Sequence, residues 1–115
     1  MRVVVVLLAL AIPVSGWAQA SSAPVQLLND EAGESAELGA SLCGVPPATI
    51  TAFKAKLDVL QPGTTQSADF RSAAESIRQT MNKLRANGDT MSEFRDTNCE
   101  LAKKRIDAVL ASRTP

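Results

Sequence analysis

Apolar residues recur at helical spacing along most of the chain after residue 28. The pattern is longest over 89–113, where, at 100° per residue, apolar side chains share one side of a helix and most charged ones lie on the other. Thr90 and Glu93 have the spacing of a capping box, so we predict that Thr90 caps this helix. Cys99 falls at the margin of the apolar side, which contains Met91, Phe94, Leu101, Ala102, Ile106 and Val109.

Two further segments show the same period and have clear ends. The first begins at Pro46-Pro47, because proline is tolerated in the first turn of a helix, and it stops at Pro62-Gly63. Its apolar stripe consists of Ile50, Phe53, Leu57 and Leu60. The second runs over about 67–87, and its stripe consists of Phe70, Ala74, Ile77, Met81 and Leu84. No stretch has the sustained alternation typical of a strand, so these patterns predict three firm helices.

A fourth helix is predicted over about 29–43, and its pattern is weaker. Leu38 and Leu42 are four residues apart, but Gly33 and Gly39 each cost about 1 kcal/mol relative to Ala in a helix interior. The connections between the segments are short, which favours antiparallel neighbours. We therefore predict an all-α fold, a small bundle of three firm helices and one weak N-terminal helix.

The first 20 residues have the organisation of a secretory signal peptide. A basic start at Arg2 precedes ten apolar residues over 3–12, and Ala18-Gln19-Ala20 offers small residues for cleavage. A membrane helix, the alternative, needs about 20 apolar residues, so we expect no stable membrane anchor after cleavage. We predict a signal peptide over 1–20, a flexible lead-in over 21–28 and a helical domain over 29–115. The protein would be exported, either to a periplasm or outside the cell.

The chain has two cysteines, Cys43 and Cys99. An even count in an exported chain indicates a disulfide, and within the chain only one pairing exists. The closed loop would stabilise the fold by roughly 4 kcal/mol through the lost entropy of the unfolded chain. Two buried thiols or an intermolecular bridge are the alternatives.

The inventory of side chains excludes several kinds of catalytic and metal site. The chain has no His and no Tyr, so it cannot form a Ser–His–Asp triad, a Cys–His pair or a His-ligated metal site. Neither glycine-rich nucleotide-binding motif occurs. Glu34 and Glu37 are closely spaced carboxylates, but both fall on the polar side of a predicted helix. We predict that the protein is not an enzyme and uses no cofactor or metal.

Charge is nearly balanced over the mature chain but is unevenly placed. Without Arg2, 11 basic residues face 12 acidic ones, which argues against a general nucleic-acid binder. An acidic stretch without any base contains Asp30, Glu31, Glu34 and Glu37. It could fold back on a more basic body, but we favour a solvated acidic arm.

Arg71, Arg78 and Arg85 recur every seven residues and would form a row along one flank of the helix predicted over 67–87. Such a row could clamp carboxylates or phosphates of a partner. The alternative, which we favour, is a solvated flank that pairs with acids of a neighbouring helix.

Three polar residues, Arg95, Asn98 and Arg105, interrupt the apolar side of the last helix. A buried polar group must have a hydrogen-bond partner. Either these residues bond within the bundle, which we favour, or that side forms a surface for a partner.

These features predict a small exported helical protein that acts by protein–protein binding. Its partner is expected to be another protein rather than nucleic acid. One alternative is an inhibitor or immunity-type protein that neutralises a specific enzyme or toxin. Another is a periplasmic stress or acid chaperone that exposes apolar stripes when its carboxylates are protonated.

Overall fold

The structure, a computed structural model, describes residues 26–113. Within that range the chain is all-α and has no strand, as the sequence predicts. The elements are α1 (Asn29–Ser41), α2 (Pro47–Leu60), a single 3-10 turn (Thr64–Gln66), α3 (Ala68–Leu84) and α4 (Gly88–Ala111). The predicted signal peptide and most of the predicted lead-in lie outside the described residues. None of the helices in the described range is long and apolar enough to cross a membrane.

The N-terminal helix α1 is the element against which the others pack. It contacts α2, α3, α4 and the 3-10 turn, and its closest packing is with α3. By comparison, α3 and α4 approach each other over a short stretch, although they are neighbours in sequence. The helix with the weakest sequence pattern therefore lies at the centre of the bundle.

Two glycines explain this central position. A Cβ at Gly33 would lie 2.2 Å from the carbonyl oxygen of Phe70, so only glycine lets α3 approach this closely. A Cβ at Gly39 would lie 2.9 Å from the Cδ1 atoms of both Ile50 and Ile106. The intrinsic cost of glycine in a helix remains, but close packing of buried small residues offsets it. Ala32, Ser35 and Ala36 share this buried side of α1.

The interior consists of two neighbouring clusters. The main cluster contains Ala32, Ala36, Ile50, Phe53, Leu57, Phe70, Ile106 and Val109. A smaller cluster surrounds the disulfide and contains Leu38, Cys43, Cys99 and Ala102. Cys99 thus lies on the core face of α4 rather than at its margin. Leu101, which the pattern assigned to the apolar side, is 49% exposed, because it lies well away from the side centred on Cys99 and Ile106.

The predicted disulfide between Cys43 and Cys99 is present, with the two Cα atoms 5.3 Å apart. Cys43 follows the end of α1, and Cys99 lies near the middle of α4. Neither cysteine is free, so the two alternatives, buried thiols and an intermolecular bridge, do not apply to this structure. The bridge ties the end of α1 to α4.

The start of α4 differs from the prediction. The helix begins at Gly88, and the side chain of Asn87 accepts a hydrogen bond from the backbone N–H of Thr90 at 3.2 Å. The predicted capping box, with Thr90 as the cap, is therefore wrong. Asparagine is a favoured N-cap residue. With Asn87 as the cap, the helix begins at Gly88 and includes residues that a cap at Thr90 would leave outside it. At the start of α3, Ser67 accepts from the N–H of Phe70 at 3.1 Å.

The last residues before α1 are attached to the end of α2. The Gln61 side chain accepts from the backbone N–H of Leu27 at 2.9 Å and donates to its carbonyl at 2.7 Å. Leu27 also packs against the main cluster. Both backbone groups of this residue are thus held before the first helical turn.

Candidate functional site

Two acidic side chains of α1 reach other helices. Glu31 accepts from Arg105 of α4 at 3.1 Å, and Glu37 accepts from Arg78 of α3 at 3.0 Å. The favoured interpretation of this stretch as a solvated arm is therefore wrong for Glu31 and Glu37. The stretch folds back because α1 packs against α3 and α4, which carry Arg78 and Arg105.

Asn98 and Arg105 have partners inside the bundle. The Asn98 amide donates to the carbonyl of Phe94, one turn earlier on α4, at 2.8 Å. Arg105 is bonded to Glu31, and the two side chains are 22% and 33% exposed. Their role in partner binding stays a prediction, and the contacts they make give it no support beyond the sequence.

Arg78 lies between two carboxylates. It donates to Glu37 of α1 and to Glu75 of its own helix. The hydrogen bond and charge of Glu37, together with the charge of Glu75, raise the pKa of Arg78 above its ordinary value. The interpretation that we favour for the arginine row, pairing with acids of a neighbouring helix, is thus correct for its middle member, Arg78.

A groove of about 410 Å³ opens where the end of α1 meets the end of α3 and the start of α4. We call it the terminal groove, and the residues that line it include Leu42, Arg78, Met81, Arg85, Met91 and Arg95. Arg85 comes from the predicted row and Arg95 from the interrupted side of the last helix. The structure therefore brings members of the two predicted sets into one site, which their separation along the chain did not indicate.

The two outer arginines of this groove are not neutralised. No ion pair or hydrogen bond joins the guanidinium of Arg85 or of Arg95 to any residue of the described range 26–113. Both residues are exposed. Guanidinium groups keep their charge at all physiological pH values and bind carboxylates in a fixed two-pronged geometry. The groove therefore presents two free cations to an anionic ligand.

Apolar side chains line the same groove as these cations. Met81 is buried, and Met91 and Leu42 are partly buried. Methionine side chains adapt their shape to different apolar partners. The sequence placed Met81 and Met91 in core stripes, and nothing in their spacing showed that they also border a groove. A groove lined by both apolar side chains and free arginines suits a protein segment that has both apolar and acidic side chains.

The disulfide holds the two walls of the terminal groove together. Cys43 directly follows Leu42, and Cys99 lies one helical turn after Arg95. The covalent bond thus fixes the end of α1 relative to the helix that carries Arg95. A groove with tethered walls loses less freedom when it binds a partner.

A second groove, of about 570 Å³, runs along the other end of the arginine row between α1, α2 and α3. We call it the lateral groove, and the residues that line it include Glu37, Lys54, Phe70, Arg71, Glu75 and Arg78. It shares Glu37 and Arg78 with the terminal groove. The sequence pattern gave no signal for Lys54, which it shows only as a charge off the apolar stripe.

The acidic side chains of α1 are divided between different grooves. Glu34 lines a separate groove with Asp30 and Asp69, whereas Glu37 faces the two basic grooves. The two carboxylates that the sequence pairs thus lie in different grooves. No group of three or more potential metal ligands occurs between residues 26 and 113. That the protein is not an enzyme stays a prediction.

Comparison with known proteins identifies no relative. No protein-family model matches the chain, and neither the curated proteins nor the solved structures contain a significant match. The function is therefore inferred from the geometry of the chain itself.

Proposed function

We propose that this chain is an exported, non-enzymatic helical protein that binds an acidic partner protein through the terminal groove. The observation that carries the proposal is the pair of unneutralised arginines, Arg85 and Arg95, which lie at the end of α3 and near the start of α4 and line one groove with apolar side chains. Arginine and methionine are both enriched at protein interfaces. The disulfide supports an oxidising compartment, where such bonds form and persist.

The proposal is tested by affinity capture with the oxidised mature protein as bait. The double variant Arg85→Glu/Arg95→Glu reverses both free charges of the groove. Its matched control is Lys83→Glu/Lys103→Glu, which makes the same charge change at exposed positions of the same two helices that do not line the groove.

A partner recovered by the wild type and by the control variant should be lost from the groove variant. Equal recovery by the groove variant would contradict the proposal. One tightly bound partner whose activity is blocked would identify the chain as an inhibitor or immunity-type protein.

Export is tested separately by intact-mass analysis of protein collected outside the cytoplasm. The signal-peptide prediction requires a mass that begins at Ser21 or within a few residues of it. A mass that retains 1–20 in exported material would contradict cleavage.

An acid-responsive chaperone is the second candidate, and the ion pairs of α1 support it. Glu31 and Glu37 connect the central helix to α4 and α3 through ion pairs. Loosening α1 would expose the buried side chains of the main cluster. The candidate predicts dye binding to apolar surface and suppression of client aggregation in acid, and it fails if neither increases as the pH is lowered.

A further inference from the structure

The lateral and terminal grooves form one path along α3. They meet at Glu37 and Arg78, which line both. Arg71 borders the lateral groove, and Arg85 borders the terminal groove. Because a helix rises about 1.5 Å per residue, the 14 positions from Arg71 to Arg85 span about 21 Å.

Positive charge is available only at the two ends of this path. Lys54 and Arg71 lie at one end and Arg85 and Arg95 at the other, and in the described range none of these four side chains has an ion-pair or hydrogen-bond partner. In the middle, Glu37 and Glu75 already neutralise Arg78. The path is therefore positive at its ends and acidic or neutral at its centre.

We propose that the natural occupant is an extended segment of the partner protein with two acidic side chains six residues apart. This inference rests on the proposed function and specifies the partner's sequence. An extended chain rises about 3.3 Å per residue, so a separation of about 21 Å corresponds to roughly six residues. Side chains at positions i and i+6 lie on the same face of an extended segment, because its side-chain period is two. Both carboxylates can then face the groove at once.

The charge profile favours such a segment over a nucleic acid. On each strand of a nucleic-acid duplex, phosphates recur about every 3.4 Å of helix axis, so some would face the carboxylates of Glu37 and Glu75. A peptide with neutral residues between its two acids avoids this repulsion. The central part of the segment would lie over Ala74 in the lateral groove and Met81 in the terminal groove.

The test uses fluorescent peptides of one composition and compares their binding to the mature, oxidised protein at low ionic strength. The first peptide has glutamates at i and i+6 in a neutral background of serine, alanine and leucine. The second has the same residues with the glutamates adjacent. Fluorescence anisotropy should show about tenfold tighter binding of the first peptide. The second peptide binds more weakly because it loses one arginine–carboxylate contact.

Variants at each end of the path locate the two contacts. Lys54→Gln/Arg71→Gln and Arg85→Gln/Arg95→Gln should each reduce the affinity for the i, i+6 peptide to that for the adjacent-glutamate peptide. The control Lys83→Gln/Lys103→Gln should leave the affinity unchanged. Circular dichroism of each variant checks that the helices are retained.

Equal binding of the two peptides, or no measurable binding of either, would overturn the inference. Tighter binding of a single-stranded oligonucleotide, or concentration-dependent self-association that Arg85→Gln/Arg95→Gln abolishes, would also overturn it. The spacing of the two glutamates could have no effect while Arg85 and Arg95 are still required for capture of the partner. In that case the proposed function stands, and only the six-residue spacing of the acidic side chains is wrong. If capture does not depend on Arg85 and Arg95, the proposed function fails as well.

Discussion

Arg105 and Arg95 lie ten residues apart on α4, yet of the two only Arg105 has an acidic partner in the described structure. Residue 31 pairs with residue 105, and residue 43 is bonded to residue 99, so α1 runs antiparallel to the second half of α4. Because α1 ends at Ser41, the first turns of α4 extend beyond it. We call the region around Glu31 and Arg105 the closed end and the region around the terminal groove the open end.

The two ends also differ in how they are packed. The closed end adjoins the main cluster, in which Phe53, Leu57 and Val109 are fully buried. The open end adjoins the small cluster that contains the disulfide. Of the two arginines of α4, only Arg105 thus pairs with a carboxylate of α1. The open end depends on a covalent bond where the closed end depends on packing.

The largest expected effect comes from removing the disulfide. Cys99→Ser, or reduction of the wild type, should lower the free energy of unfolding by roughly 4 kcal/mol, because the unfolded chain regains the freedom of a long loop. Thermal or denaturant unfolding measures the loss. Cys43→Ser is the matched variant and should have the same effect.

Hydrogen exchange of the reduced protein locates the effect of losing the bond. Amides near the start of α4 should lose more protection than those near Glu31, because the bond joins the walls of the open end. A uniform loss of protection would contradict the proposed difference between the ends.

Gly33→Ala should destabilise the protein by about 2 kcal/mol. The new Cβ would lie 2.2 Å from the Phe70 carbonyl oxygen, so α3 must move. The free-energy cost of this movement exceeds the gain in helix propensity from replacing glycine by alanine. Gly88→Ala, at the open end, is the control, because a Cβ added there would have no neighbouring atom within 4 Å. The stability of this variant should equal that of the wild type or be slightly higher. Equal stability of Gly33→Ala and wild type would show that the two helices do not cross this closely.

Arg105→Ala should lower the free energy of unfolding by about 1 kcal/mol, because it leaves the Glu31 carboxylate without its charged partner. The loss is no larger because the pair is partly exposed and solvent screens it. Arg95→Ala should change stability by less than about 0.5 kcal/mol. Chemical denaturation of both variants compares the two ends directly. Similar losses would mean that Arg95 also has a partner within the bundle, which would weaken the proposed binding site.

A smaller loss than that of Arg105→Ala is expected at the cap of α4. Asn87→Ala should cost about 0.5–1 kcal/mol, since the N–H of Thr90 loses its acceptor. Thr90→Ala should cost less, because Thr90 lies within the helix. A larger loss for Thr90→Ala would restore the capping box that the sequence predicts.

Much of the fold follows from local patterns. Proline at its start and the spacing of Ile50, Phe53 and Leu57 are sufficient to predict α2, whose bounds agree with the prediction. The pairing of Cys43 with Cys99 follows from a count of two. Helix ends are less determined, because several side chains compete to cap the same turn. Asn87 and Thr90 were both available at the start of α4, and the prediction of Thr90 was wrong.

The helical periods, the bridge and the lack of histidine chemistry could all be derived from the amino-acid sequence, because they depend on near neighbours or on composition. The role of Gly33 could not, because this residue is a cost within its own helix and a requirement at the crossing with α3. Nor could the pairing of Arg105, or the common groove that Arg85 and Arg95 face. Glu31 and Arg105 are 74 residues apart in sequence, and helical periodicity carries no information about which helices lie side by side over such a separation.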